Sequence, residues 1–276
     1  MLRKLIGYDF RCTWKWILTM FATSTVAALL SMTCSLLNYY SPLEPGSIVY
    51  VLVSVGLSLG ESLLQMLSYL ASMGTILLSA IHYYKKMISD EAYLTFTLPA
   101  TPGQHLISKL VTGTVWSLVS YVVLFINFII LSIPDAIRDL DATQNGGMDQ
   151  YPDSSLEFLA SPAIVGIVIG VILLLVVLLI TQLALVYLAL TIGGVIANKH
   201  KAIAGIALYW VSNSVVSGIM MFTAIIASAI VASLLPLSDE WMIAVILYLC
   251  TAVITGFGLL YYFINRKLLT NNLNLP

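Results

Sequence analysis

Charged residues are scarce in this 276-residue chain. Asp, Glu, Lys and Arg make up 9% of it and hydrophobic residues 60%, against about 25% and about 45–50% in typical soluble domains. This balance excludes a soluble globular protein. The formal net charge of -1 suggests neither a nucleic-acid partner nor an acidic tail. The three scattered cysteines are too few for a disulfide framework or a zinc site.

Motifs for chemistry are missing as well. The chain has no Gly-x-x-x-x-Gly-Lys-Ser/Thr phosphate loop, so we expect any ATP to be bound by another polypeptide. It also has no His-Glu-x-x-His and no Cys-x-x-Cys, which are signatures of metalloproteases and redox proteins. We therefore expect no catalytic residue, metal or cofactor on this chain. The three histidines, His82, His105 and His200, are expected to be solvated near the cytoplasmic ends of spans.

Long uncharged runs predict the architecture. Most of these runs exceed the roughly 20 residues that cross a bilayer, and they show no strand-like alternation, so helices are favoured over a barrel. We predict an all-α polytopic membrane protein in which residues 1–276 form a single transmembrane domain. The six spans are expected near 15–37, 61–84, 102–133, 161–185, 202–224 and 241–264.

The basic residues predict the orientation, because short cytoplasmic loops retain Lys and Arg. With the N-terminus inside, eleven of the twelve basic residues are cytoplasmic and only Arg138 is outside. Most acids then fall outside, above all in a solvated acidic loop over 134–160. We expect a multi-pass protein of the cell membrane with both termini in the cytoplasm.

Three further elements are expected outside the six spans. Residues 1–14 alternate apolar and charged positions, which predicts an interfacial helix, with a frayed cytoplasmic tail as the alternative. Residues 47–58 form a short outer element if Gly56, Gly60 and Glu61 break the helix. Residues 225–236 are predicted to be a re-entrant outer half-helix before the last span, with one long tilted helix as the alternative.

The cytoplasmic loop between spans two and three predicts a short helix over 89–99. Ser89 is suited to cap it, acidic residues follow in its first turn, and Pro99 ends it. Thr101, Pro102 and Gln104 then form a capping box that begins the third span. A helix this short is marginal alone in water, so we expect it to dock on a partner.

This loop resembles the coupling region of six-helix permeases, the membrane-spanning subunits of ABC exporters of the second type. The resemblance implies that 89–99 is a coupling helix docked on a separate ABC ATPase subunit, which binds ATP and Mg²⁺, and that a second permease chain completes a homo- or heterodimer. The residues that carry it are Asp90, Glu91, Leu94, Leu98, Pro99, Thr101, Pro102, Leu106 and Lys109. The ATPase-coupling residues are expected to be Asp90, Glu91, Tyr93, Leu94, Phe96, Leu98 and Pro99.

Five polar side chains fall within the predicted spans. Such a residue either joins helices or lines a substrate path, and both roles stay open for each. Two other functions also stay open: a nucleotide-independent carrier, which should place ionisable groups at the bilayer midplane, and a non-transporting sensor or scaffold. The candidates for a path are Glu61, Gln65, Asn127, Gln182 and Asn213.

Overall fold

The computed structural model describes residues 2–41, 47–89, 91–92, 95, 97, 100–144, 162–197, 200–234 and 239–271. Within this part of the chain the structure is all-α, with six helices that are each long and apolar enough to span a membrane. The prediction of an all-α multi-pass membrane protein is confirmed at this level. The helices are α1 (Leu2–Tyr39), α2 (Ile48–Met87), α3 (Pro102–Gln144), α4 (Pro162–Ile196), α5 (Lys201–Leu234) and α6 (Asp239–Asn271).

The first helix runs without interruption through the segment expected to be interfacial. Residues 2–14 and the span that follows belong to α1, which has 38 residues. No proline or glycine lies between Phe10 and Tyr39 to end a helix there. A separate interfacial helix over 1–14 is therefore not confirmed.

The second helix corrects the expected break after 47–58. α2 has 40 residues and continues through Gly56, Gly60 and Glu61. A glycine inside a helix costs only about 1 kcal/mol relative to alanine, so two glycines do not outweigh continuous backbone hydrogen bonding. At 1.5 Å per residue α2 is about 60 Å long, so it extends beyond a hydrocarbon core of about 30 Å.

Two further helices are also longer than expected. α3 continues past Pro134 to Gln144, so the first part of the expected outer loop over 134–160 is helical, while 145–160 lies outside the described residues. Arg138 supports this extension because it pairs with Asp135 at 3.0 Å and donates to Ser35 Oγ at 2.9 Å. α5 is continuous to Leu234, so residues 225–234 are not a separate half-helix, and 235–236 lie outside the described residues.

The chain divides into two compact units. The first comprises Met1–Phe10, Ser79–Thr114 and Pro152–Pro276, and the second comprises Arg11–Leu78 and Val115–Tyr151. In the first unit, α4 packs against both α5 and α6, and most extensively against α6. The core of this packing is made by Ala184, Leu185, Leu188 and Tyr261.

Glycines permit a close helix contact in the first unit, between the end of α4 and the start of α5. A Cβ atom added at Gly193 would lie 2.7 Å from Gly205 Cα and 2.9 Å from the Lys201 carbonyl oxygen. These are backbone atoms, so no side-chain rotation could make room. The two helices therefore meet backbone to backbone here.

Candidate functional site

The segment between α2 and α3, which contains the predicted coupling helix, is described only in part. Asp90, Tyr93, Leu94, Phe96, Leu98 and Pro99 lie outside the described residues. Glu91 is described, and its Oε2 forms an ion pair with Lys86 Nζ at 2.9 Å. The Lys86 ammonium lowers the pKa of the exposed Glu91 carboxyl below its ordinary value, so this carboxyl stays ionised at neutral pH. The Thr95 N–H donates to the Glu91 carbonyl oxygen at 3.3 Å, a helix-type bond, but a full helix over 89–99 is not confirmed.

The beginning of this segment is packed into the first unit. Met87 and Ala92 are fully buried, and Ile88 is 7% exposed. A Cβ atom at Gly194 would lie 2.6 Å from Ile88 Cγ2, so the Ile88 side chain occupies the space that a larger residue of α4 would take. The segment is thus in direct contact with the end of α4. The Ser89 side chain was expected to cap the helix that follows it. Its hydroxyl instead donates to the Lys85 carbonyl oxygen, in the preceding turn, at 2.6 Å.

The end of the segment is fixed by the predicted capping box, which the structure confirms. The Thr101 N–H donates to Gln104 Oε1 at 3.3 Å, and the Gln104 N–H donates to Thr101 Oγ1 at 3.4 Å. Pro102 is the first residue of α3, where its missing N–H costs no helical bond. The segment therefore enters α3 at a defined position.

A buried polar cluster lies in the first unit and joins α1, α2 and α3. Asp9 is fully buried and pairs with Lys109, which is 5% exposed. His82 Nε2 lies 3.3 Å from Asp9 Oδ1 and 3.2 Å from Lys109 Nζ, and the Ser108 hydroxyl donates to Asp9 Oδ2 at 2.6 Å. We call Asp9, His82, Ser108 and Lys109 the ionic cluster. A charge pair removed from water is stable only when its hydrogen bonds are satisfied in this way.

Sequence reasoning missed the ionic cluster. It placed Asp9 among the charged positions of an interfacial helix, used Lys109 for the orientation and for the permease resemblance, and expected the histidines to be solvated. His105 is fully buried and His82 is partly buried, so that expectation is wrong for both, whereas His200 is exposed. The one available signal was Asp9, a lone acid among the four basic residues of the first 15 positions.

A tyrosine stack extends from the ionic cluster towards α4 and α6. The rings of Tyr83 and Tyr187 stack with centroids 4.2 Å apart and an interplanar angle of 8°. The Tyr187 hydroxyl donates to the Lys109 carbonyl oxygen at 3.3 Å. The Tyr83 hydroxyl lies 2.7 Å from Thr191 Oγ1 and donates to Asn265 Oδ1 at 3.4 Å. Four helices are thus connected through buried polar contacts.

Two of the five path candidates are brought together in the first unit. Gln182 Nε2 of α4 donates to Asn213 Oδ1 of α5 at 3.2 Å, and the Tyr209 hydroxyl donates to Gln182 Oε1 at 3.4 Å. Within the described residues, the Nδ2 group of Asn213 has no hydrogen-bond partner. This contact joins α4 and α5 and leaves amide protons of both residues available.

The Gln182–Asn213 pair borders a cavity of about 220 Å³ between α4, α5 and α6. Its polar lining consists of Thr181, Gln182, Asn213 and Ser217, and its remaining lining is apolar, with no charged residue. We call it the amide cavity.

Asn127 is instead part of a buried hydrogen-bond network in the second unit. Its Nδ2 donates to Ser24 Oγ at 2.6 Å and to Ser68 Oγ at 3.2 Å. Ser24 Oγ also lies 2.6 Å from Ser72 Oγ, and the Ser120 hydroxyl donates to the Ser72 carbonyl oxygen at 2.6 Å. Asn127 is fully buried, so this geometry favours its role in joining α1, α2 and α3 over a role in a substrate path.

Glu61 and Gln65 are half-buried on α2 in the second unit. The Ser31 hydroxyl donates to the Glu61 backbone carbonyl at 3.1 Å. Among the described residues, the Glu61 carboxylate has no ion pair. Nothing in this geometry favours one of the two predicted roles for either residue.

The described residues contain no group of three or more His, Cys, Asp or Glu side chains that could hold a metal ion. Comparison with known proteins found no matching family model, curated protein or solved structure.

Proposed function

We propose that this chain is the membrane-spanning subunit of an ATP-driven exporter, as the resemblance of its 89–109 region to second-type ABC permeases implies. A separate ABC ATPase binds ATP and Mg²⁺ and docks on the segment 89–99. A second permease chain, identical or related, completes the translocation pathway. Both termini lie in the cytoplasm of the cell.

The observation that carries this proposal is the attachment of the inter-helix segment at both ends. Ile88 packs into the space above Gly194, and Thr101 and Gln104 cap α3 reciprocally. These two ends attach the segment to α2, α3 and α4, so a force that moves either end acts on these helices. Transmission of this kind is what an ATPase acting from the cytoplasm requires.

The ionic cluster supports the same mechanism. It connects the end of α2 and the first turns of α3 to α1 through Asp9. The tyrosine stack continues this connection to α4 and α6. When nucleotide-driven closure of the ATPases displaces the segment 89–99, these contacts make the attached helix ends move together.

The experiment removes the apolar anchors of the segment. Changing Phe96 and Leu98 together to Ala is expected to release the ATPase from the purified native complex or to uncouple its ATP hydrolysis from transport, since a few apolar anchors carry most of an interface's energy. The matched control is Phe128→Ala with Leu140→Ala, the same changes at positions that are 60% and 64% exposed on α3. The control should leave ATPase binding unchanged.

Two results would overturn the proposal. One is a native complex that contains no P-loop ATPase, which would favour a carrier or a sensor. The other is a Phe96→Ala/Leu98→Ala variant that keeps full ATPase binding and fully coupled hydrolysis.

A further inference from the structure

We infer that the amide cavity is a binding site for a small uncharged molecule, of single-ring or short-chain size, that carries an oxygen hydrogen-bond acceptor. Its interpretation as a transport substrate rests on the proposed function, whereas binding itself does not.

The size of the ligand follows from the volume of the cavity. A cavity of about 150 Å³ in a protein interior is large enough to hold benzene. The amide cavity measures about 220 Å³, which leaves room for one ring with a short substituent. A larger polycyclic molecule or a whole lipid would extend beyond the cavity.

The residues that line the amide cavity indicate that its ligand is uncharged. Apolar side chains, among them Met220 and Phe257, surround most of the space, and the described part of the chain places no Lys, Arg, Asp or Glu on its lining. An ion placed there would lose its hydration without gaining a counter-charge, which is costly. The cavity therefore selects neutral molecules.

The acceptor group follows from hydrogen bonding at Asn213. Its Oδ1 already accepts from Gln182, whose own Oε1 is occupied by Tyr209. Among the described lining residues, the amide donors that remain are the Asn213 Nδ2 protons and the second Gln182 Nε2 proton, because Gln182 Nε2 makes one bond and Ser217 already donates to the Ser214 carbonyl at 3.0 Å. A ligand carbonyl or ether oxygen accepts from this amide pair, whereas a hydrocarbon of the same shape does not.

The position of the cavity indicates the route of entry. Gln182 lies 20 residues after the start of α4 and 14 before its end, which places it about 21 Å or more from either end at 1.5 Å per residue. That depth lies within the hydrocarbon layer. The ligand therefore partitions into the bilayer before it binds.

Binding is tested on the full chain in lipid nanodiscs by ¹⁹F NMR, with empty nanodiscs subtracted. The probes are 4-fluoroacetophenone, 4-fluoroethylbenzene, which lacks the oxygen, and the 4-fluorobenzoate anion. Saturable binding is expected for the ketone and about 2- to 12-fold weaker for the hydrocarbon, the usual worth of one neutral hydrogen bond. No saturable binding is expected for the anion.

A pair of serine variants locates the site. Ser217→Phe fills the cavity and should abolish ketone binding, whereas Ser214→Phe should retain it. The two serines are a matched pair, since both are exposed on α5 and both hydroxyls donate to a preceding backbone carbonyl. Equal binding by the two variants would overturn the inference.

A third variant gives a result that does not depend on the folded fraction. The double change Gln182→Leu/Asn213→Leu removes both amide side chains from the cavity and should bring the affinity ratio of ketone to hydrocarbon close to one, and both affinities come from the same sample. A ratio unchanged from that of the unaltered chain, or anion binding as tight as ketone binding, would refute the site. These binding measurements need no ATPase, so their outcome does not depend on the exporter proposal. The Phe96→Ala/Leu98→Ala experiment in turn tests the exporter proposal without reference to ligand binding in the amide cavity.

Discussion

The contact between α4 and α5 gives the sharpest stability prediction. A methyl group added by Gly193→Ala would lie 2.7 Å from Gly205 Cα and 2.9 Å from the Lys201 carbonyl oxygen. Both neighbours are backbone atoms, so the helices must separate to admit it. Gly218 on α5 provides the matched control, because a Cβ atom there would meet nothing within 4 Å.

The two substitutions are expected to change the free energy of unfolding in opposite directions. Overpacking costs about 1–3 kcal/mol, with the upper end fitting a clash with rigid backbone, and the higher helix propensity of alanine returns about 1 kcal/mol. We expect Gly193→Ala to lower the free energy of unfolding by about 2 kcal/mol. Gly218→Ala keeps only the propensity gain and should raise it by up to about 1 kcal/mol.

Reversible unfolding in mixed micelles, followed by tryptophan fluorescence, measures both variants against the unaltered chain. The two free energies should therefore differ by about 3 kcal/mol. If Gly193→Ala is as stable as Gly218→Ala, α4 and α5 do not approach each other as closely as this geometry requires.

Two further predictions concern the ionic cluster and the orientation. Lys109→Met removes the lysine charge from the buried Asp9 and should lower the free energy of unfolding by about 3–5 kcal/mol. Lys85→Met, at an exposed site, should change it by about 0.5 kcal/mol or less. The double variant Asp9→Leu/Lys109→Met should recover part of the loss, and equal effects of the two lysine changes would refute the buried pair. In a chain without its native cysteines, an impermeant thiol reagent applied outside the cell should label Cys introduced by Gln144→Cys and not by Lys201→Cys; external labelling at 201 would contradict the predicted topology.

Local signals were sufficient to predict the six helices and the start of α3. The hydrophobic runs reflect the demands of the bilayer on every span, and the capping box is formed by residues within three positions of each other. The break predicted at Gly56 and Gly60 was wrong, because the helical hydrogen bonds of α2 outweigh the weak preference of glycine against a helix.

The contacts of the site were beyond such local signals. Asp9 contacts His82 and Ser108, which are 73 and 99 residues away in the chain. No periodicity or spacing rule pairs residues across that distance. Gln182 and Asn213 were identified as candidates by their polarity alone, and only the packing of α4 on α5 shows that they meet.

The division of the chain into two units has a consequence for its biosynthesis. The second unit, Arg11–Leu78 with Val115–Tyr151, is complete once about half of the polypeptide has left the ribosome, and its serine and asparagine network can form at that point. The first unit requires Pro152–Pro276 as well, and Tyr83 meets Asn265 across 182 residues. Chains emerge N-terminus first. The end of α2 and the beginning of α3, which belong to the first unit, therefore cannot complete their contacts until α6 has been synthesised. The first unit thus folds only when translation is nearly finished.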